Sequence, residues 1–254
     1  MRLLSAFAVL VIVVTARSAG AEPLAFRLSP MSRELAPAGQ GATRTFEVTN
    51  PGHEPIAIAT GVVTRVVDAD GAEHNEPADR EFLVYPAQVI VPPYSSQILR
   101  VTWMGSPRLE REQAYRLEVA QVPLESLVGT GAHTQRVGQL KLMLRYLASI
   151  YVRPEGAEPE VKVQHAGLER DAQGRPRLRV TLSNDGRAHA SLRELTVRVR
   201  AHDGTATTEL QPMQAHPGAS AVVLPGGLRR LDFAWPASIP EGPVDVDVSP
   251  RTRG

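Results

Sequence analysis

The stretch LKLMLRYLASIYVRP, residues 140–154, changes its pattern halfway along. Its first half alternates, with Leu140, Leu142 and Leu144 on one parity and Lys141, Met143 and Arg145 on the other. Its second half places apolar groups on both parities, through Leu147, Ala148, Ile150, Tyr151 and Val152. Side chains along a strand point to opposite faces in turn, so a single strand needs both patterns only if its halves sit in different surroundings. The second half reads as a buried sandwich strand. The first half has one apolar face, and either a second sheet of this protein or a partner could cover it.

Working outward, turn signals punctuate the chain at close spacing: Asn50-Pro51-Gly52, Asp70-Gly71, Pro92-Pro93, Asn184-Asp185-Gly186, Asp203-Gly204 and Pro225-Gly226-Gly227. Between them lie short runs of strand composition, among them TFEVTN, IAIATGVVTRVV, SQILRVTW, YRLEVAQV, RLRVTLS, LTVRVRA and VDVDV. No amphipathic helical pattern of useful length appears. Short strands with frequent turns predict an all-β sandwich architecture. RPEGAEPEV, residues 153–161, with two prolines, a glycine and three glutamates, is the linker candidate. It divides the chain into residues 22–153 and 154–254, each the size of an immunoglobulin-like sandwich, with an interdomain cleft expected where they meet.

The first 21 residues read differently. Arg2, the apolar run Leu3 to Val14 and the Ala19-Gly20-Ala21 pattern form a cleavable secretory signal peptide, too short to be a membrane anchor. The expected location is therefore outside the cytoplasm, with no membrane insertion of the mature chain. Removing the signal's two arginines leaves 26 basic against 27 acidic residues, a net charge of −1, which argues against a general nucleic-acid binder. Cysteine is absent, so stability must come from the two cores alone.

Chemistry is sparse. The seven histidines, at 53, 74, 133, 165, 189, 202 and 216, show no metal-ligand spacing and mostly sit beside turn residues, so they read as solvated loop side chains. There is no nucleophile elbow and no phosphate-binding loop. Asp245 and Asp247 alternate with valines and read as the wet face of an edge strand. The expectation is no enzyme, no metal and no cofactor.

Several segments carry a family resemblance. SRELAPAGQGATRTFEVTNPGHEP (32–55), FLVYPAQVIVPPYSSQILRV (82–101) and REQAYRLEVAQVP (111–123) are similar to segments of the periplasmic chaperones of the chaperone–usher pathway, the PapD-like pilus and fimbrial assembly chaperones. LKLMLRYLASIYVRP falls where that family has its donor strand, and LRVTLSNDGRAHASLRELTV with VVLPGGLRRLDF resembles its archaic branch. Two positions depart from the family pattern, Glu118 in place of a frequent asparagine and Leu147 in place of a donor-strand lysine.

The resemblance implies two immunoglobulin-like domains around a cleft and an ATP-independent periplasmic chaperone. Such a chaperone caps pilin or fimbrial subunits by donor-strand complementation and hands them to an outer-membrane usher. By it, Leu140, Leu142 and Leu144 fill the subunit's groove, Arg33 and Arg145 hold the subunit's C-terminal carboxylate, and Arg100 with Glu112 forms an interdomain ion pair. It leaves open whether the unloaded chaperone self-associates to hide its leucines. The competing reading is a secreted immunoglobulin-like structural or adhesive protein without chaperone activity.

Overall fold

A computed structural model describes residues 26–124, 143–215 and 220–251. The expected signal peptide and the donor positions Leu140 and Leu142 lie outside these residues. Among the described residues the regular structure is strand, with three one-turn 3-10 segments, and no helix is long and apolar enough to cross a membrane.

The first eleven strands are β1 (Arg27–Ser29), β2 (Ser32–Leu35), β3 (Thr43–Asn50), β4 (Ile56–Thr64), β5 (Val66–Val67), β6 (Glu73–His74), β7 (Phe82–Tyr85), β8 (Gln88–Val91), β9 (Ser95–Trp103), β10 (Gln113–Val122) and β11 (Arg145–Val152). They build two facing sheets, ordered β1-β3-β9-β7 and β2-β11-β10-β4-β8, with the small β5–β6 hairpin beside them. Alternation explains the core between these sheets. β9 buries Leu99, Val101 and Trp103, and β10 buries Tyr115, Leu117 and Val119, while residues between them face outward. The core-facing row of β11 is Tyr146, Ala148, Ile150 and Val152, and Leu144 packs against the same cluster just before the strand begins.

The second set of strands is β12 (Val161–Arg170), β13 (Pro176–Asn184), β14 (Ala190–Ser191), β15 (Leu195–Ala201), β16 (Thr207–Leu210), β17 (Val222–Val223), β18 (Leu228–Ala234) and β19 (Val244–Pro250). Their sheets run β12-β13-β18, β16-β15-β19 and β14-β17. A separate apolar cluster, including Leu178, Val180, Leu182, Val197, Val199, Leu231 and Phe233, fills the space between them. The fold is all-β, in two immunoglobulin-like domains.

Both domains close a strand end with the same device. Asn50, fully buried at the end of β3, donates from Nδ2 to the carbonyls of Glu54, Val91 and Pro92 and accepts the Gly52 amide on Oδ1. Asn184, fully buried at the end of β13, donates to the carbonyls of Ala188 and Val223 and accepts the amides of Glu160 and Gly186. Short side-chain amides complete turns in this way because they offer both a donor and an acceptor close to the backbone. Asn184→Ala is expected to destabilise the protein by about 1–3 kcal/mol for each backbone group left buried and unpaired. A urea melt measures this, and an unchanged midpoint would contradict it.

Candidate functional site

The strand β11 carries the candidate site because its two faces meet different surroundings. Its even-numbered face belongs to the first domain's own core. Its odd-numbered face, Arg145, Leu147, Ser149 and Tyr151, continues across β10 with Glu118 and Arg116, their register partners being Leu147 and Ser149. Ser149 and Tyr151 are nevertheless buried on that face. Tyr151 stacks on His189 of the second domain, ring centroids 3.8 Å apart at 12°, and Ser149 lies beneath two guanidinium groups. The apolar second half of the opening stretch is thus covered by two different domains, not by two layers of one sandwich.

An ion cluster lines this face. Arg116 grips Glu73 with both arms, Nε donating to Oε2 at 2.9 Å and Nη2 to Oε1 at 2.6 Å. Arg65 donates to the same Oε1 from Nε at 3.0 Å and from Nη2 at 2.8 Å. Arg65 also reaches Tyr151 Oη at 2.5 Å and Ser220 Oγ of the second domain at 2.9 Å, and Arg116 reaches Ser149 Oγ at 2.7 Å. Burial pushes the Glu73 carboxyl up, but the hydrogen bonds and charges of Arg116 and Arg65 outweigh it and hold the group below the usual carboxylate range. An open cavity of about 680 Å³ adjoins the cluster, walled by Arg65, Arg116 and residues 70–73 on one side and by Ser220 and Ala221 on the other.

Two sets of contacts tie the domains across the cleft. Glu112, just before β10 and with a fully buried side chain, accepts Arg153 Nε at 2.7 Å and the His189 ring Nδ1 and backbone N–H at 2.7 and 3.2 Å. Burial raises its pKa, and His189 with Arg153 more than compensates, leaving it below the usual range. On the far side, the loop after β5 meets β18. Arg230 Nη1 lies 2.5 Å from Asp70 Oδ1, the Arg230 amide donates to the Ala69 carbonyl at 2.6 Å, and the Ser220 amide donates to Gly71 at 3.2 Å.

Several of the expected residues sit elsewhere than their expected roles require. Arg33 is in register with Ile150 on the edge strand β2, and its Nε reaches the Thr45 carbonyl at 3.4 Å. Arg145 begins β11 five residues earlier, roughly 16 Å along the strand, and on the opposite face. It pairs with Glu118 at 2.7 Å. One carboxylate cannot touch both arginines in this arrangement. The Arg100–Glu112 pair is also corrected: Arg100 is exposed on β9, opposite Thr45 and Tyr85 in the other sheet, whereas Glu112 bonds Arg153 and His189. His189 is accordingly an interdomain contact and not a solvated loop residue. Among the described residues no group of three metal-ligating side chains comes together.

Sequence reasoning missed Arg65, Glu73 and Arg116. Arg116 carried a usable signal, an arginine on the polar parity of the strongly alternating YRLEVAQV run, but nothing in the sequence places Glu73 opposite it.

With this geometry in hand, comparison with known proteins defines the class as a two-domain immunoglobulin-like assembly chaperone. Residues 34–158 match the family described as pili and flagellar-assembly chaperone, PapD N-terminal domain. The N-terminal domain belongs to that family of PapD-like pilus and fimbrial assembly chaperones, a family of chaperones and not of enzymes. Solved structures share its fold. A chaperone–tip adhesin complex of CFA/I fimbriae biogenesis aligns at TM-score 0.55 and 15% identity, covering 90% of this chain and 92% of that one. The Salmonella enterica SafB chaperone, solved with the SafA pilin, aligns at TM-score 0.51 and 16% identity, covering 85% and 87%. The E. coli chaperone DraB aligns at TM-score 0.50 and 18% identity, covering 86% of each chain. No curated protein matches the chain significantly.

Proposed function

We propose that this chain is a periplasmic, ATP-independent chaperone that caps secreted pilin-like subunits by lending them the segment ahead of β11, and passes them to an outer-membrane usher. The observation that carries the reading is the row of side chains on the core-facing parity of that strand. Tyr146, Ala148, Ile150 and Val152 belong to the protein's own core, Leu144 packs at its margin, and the sequence continues the same parity through Leu142 and Leu140. Among the described residues, the backbone pairing on this side reaches the Gln121 amide, which donates to the Leu144 carbonyl at 2.9 Å. A strand whose core-facing row is continued in sequence by further alternating leucines suits addition of a strand to an incomplete partner sheet. Each leucine buried in that partner adds roughly 1.5–3 kcal/mol before ordering costs.

The family membership and the fold support this role, and the signal-peptide reading of residues 1–21 supports a periplasmic location. The test is recovery of tagged protein from the periplasm of the cells that naturally produce it. A small β-rich subunit should co-purify with wild type at equal stoichiometry. Recovery of the bare chain, with the subunit present and folded elsewhere, would favour a structural or adhesive role.

A further inference from the structure

We propose that residues 68–72, the turn between β5 and β6, form a strap that closes over β18 against the buried charge of Arg229, so that strap and strand make a sprung catch with a closed and a lifted state. This goes beyond the capping role and does not depend on it.

Arg229 has the parity of Leu231 and Phe233, the core-facing residues of β18, and stands in register with the fully buried Leu182 of β13. It is only 1% exposed. Its guanidinium packs against Gly71 of the strap, so closely that a methyl group on Gly71 would fall 1.7 Å from Nη1, and the φ of +86° there also favours glycine. Among the described residues neither Nε nor Nη1 of Arg229, both buried, has a hydrogen-bond partner. The carboxylates whose charge reaches it, Asp68 and Asp70, are engaged elsewhere: Asp68 accepts the amides of Asp70 and Ala72, and Asp70 pairs with Arg230. Burial lowers the Arg229 pKa by more than Asp68 and Asp70 raise it, so the closed state disfavours the charge it encloses.

The strap holds itself together and can move as a unit. The Asp68 amide donates to the Ala72 carbonyl and the Gly71 amide to the Asp68 carbonyl, each at 3.0 Å, which adds to the two bonds on the Asp68 side chain. Three contacts fasten it to the second domain: the Asp70–Arg230 pair, the Arg230 amide on the Ala69 carbonyl and the Ser220 amide on the Gly71 carbonyl. On lifting, each of these is exchanged for bonds to water at small net loss, whereas Arg229 gains a hydration it lacks when closed. The strap also walls the open cavity opposite Ser220 and Ala221, so the lifted state widens the cleft between the domains.

Residue-resolved amide exchange of the full-length protein tests the catch. The amides of Arg230 and Ser220 report lifting, since each has its partner on the strap, and the amide of Leu231, in register with Val180, reports opening of the second domain itself. In wild type both reporter amides should exchange at least about a hundredfold faster than that of Leu231, because a strap opens locally at far lower cost than a domain core. Arg229→Met keeps an unbranched side chain and removes the charge, so it should slow both reporters together by at least about tenfold, with Leu231 no faster. Reporter amides as slow as Leu231 in wild type would overturn the lifted state, a result that requires no variant to fold. Unchanged or faster reporter exchange in Arg229→Met would overturn the part given to the buried charge. Slowing of one reporter without the other would overturn the strap as a unit. Loss of Leu231 protection in Arg229→Met would overturn the catch as well, since Arg229 would then be a stabilising member of the core.

Discussion

Leu142→Asp should abolish subunit capture while the free protein melts at the wild-type temperature. The argument is one of parity and place. Leu142 has the sequence parity of Leu144 and Ile150, and it lies two residues upstream of Leu144, which packs against the first domain's core. A carboxylate there forfeits roughly 1.5–3 kcal/mol of leucine burial in the subunit and adds the larger penalty of an unpaired buried charge. Affinity should fall by at least about a hundredfold at 1.4 kcal/mol per decade. Leu144→Asp provides the contrast. Leu144 packs against the first domain's own core, so this variant should lose both capture and melting temperature. If Leu142→Asp lowers the melting temperature of the free protein as much as Leu144→Asp does, the upstream leucines are internal core and not a lent strand.

Glu112→Ala should be among the most destabilising single changes in the chain. Glu112 reaches the second domain through His189 and is held by Arg153 of its own domain, with its side chain wholly buried, and removing it strands both polar partners at the junction. Breaking a buried pair in this way typically costs about 3–5 kcal/mol. The pH dependence has a definite sign. The folded-state pKa of Glu112 is lowered, so its contribution is present above the ordinary carboxylate value of about 4.3 and is lost as pH falls through the lowered folded value. Urea melts of wild type should therefore keep the Glu112 contribution from pH 8 to 5 and lose it below about pH 4, so that stability falls less steeply in acid for Glu112→Gln than for wild type. Identical acid profiles for the two proteins would remove Glu112 from the junction's energetics.

The architecture was legible because period-two alternation and turn residues act locally. Leu99, Val101 and Trp103, or Tyr115, Leu117 and Val119, announce their buried face without reference to any other strand. The cleft was not legible, because it depends on which strands become neighbours. Arg100 and Glu112 both lie on or beside alternating strands, yet they belong to different sheets, and only Arg153 at the end of the opening stretch faces the glutamate. Glu73 and Arg116 are 43 residues apart, brought together by a two-pair hairpin that has almost no pattern of its own. Tyr151 shows the same gap in a subtler form. Its burial was foreseeable from composition, but its cover, the ring of His189, comes from the other domain. Arg33 and Arg145 looked like a pair because each stands near a family position, and strand geometry alone separates them.

Amide exchange in residues 140–144, compared between the free chaperone and the complex recovered with its subunit, tests the lent strand most directly. The account predicts that the amides of this segment exchange rapidly in the free protein and become strongly protected in the complex, while those of Ile150 and Val152 are protected in both. Equal protection of residues 140–144 in the two states, or protection that does not increase when the subunit is bound, would contradict it.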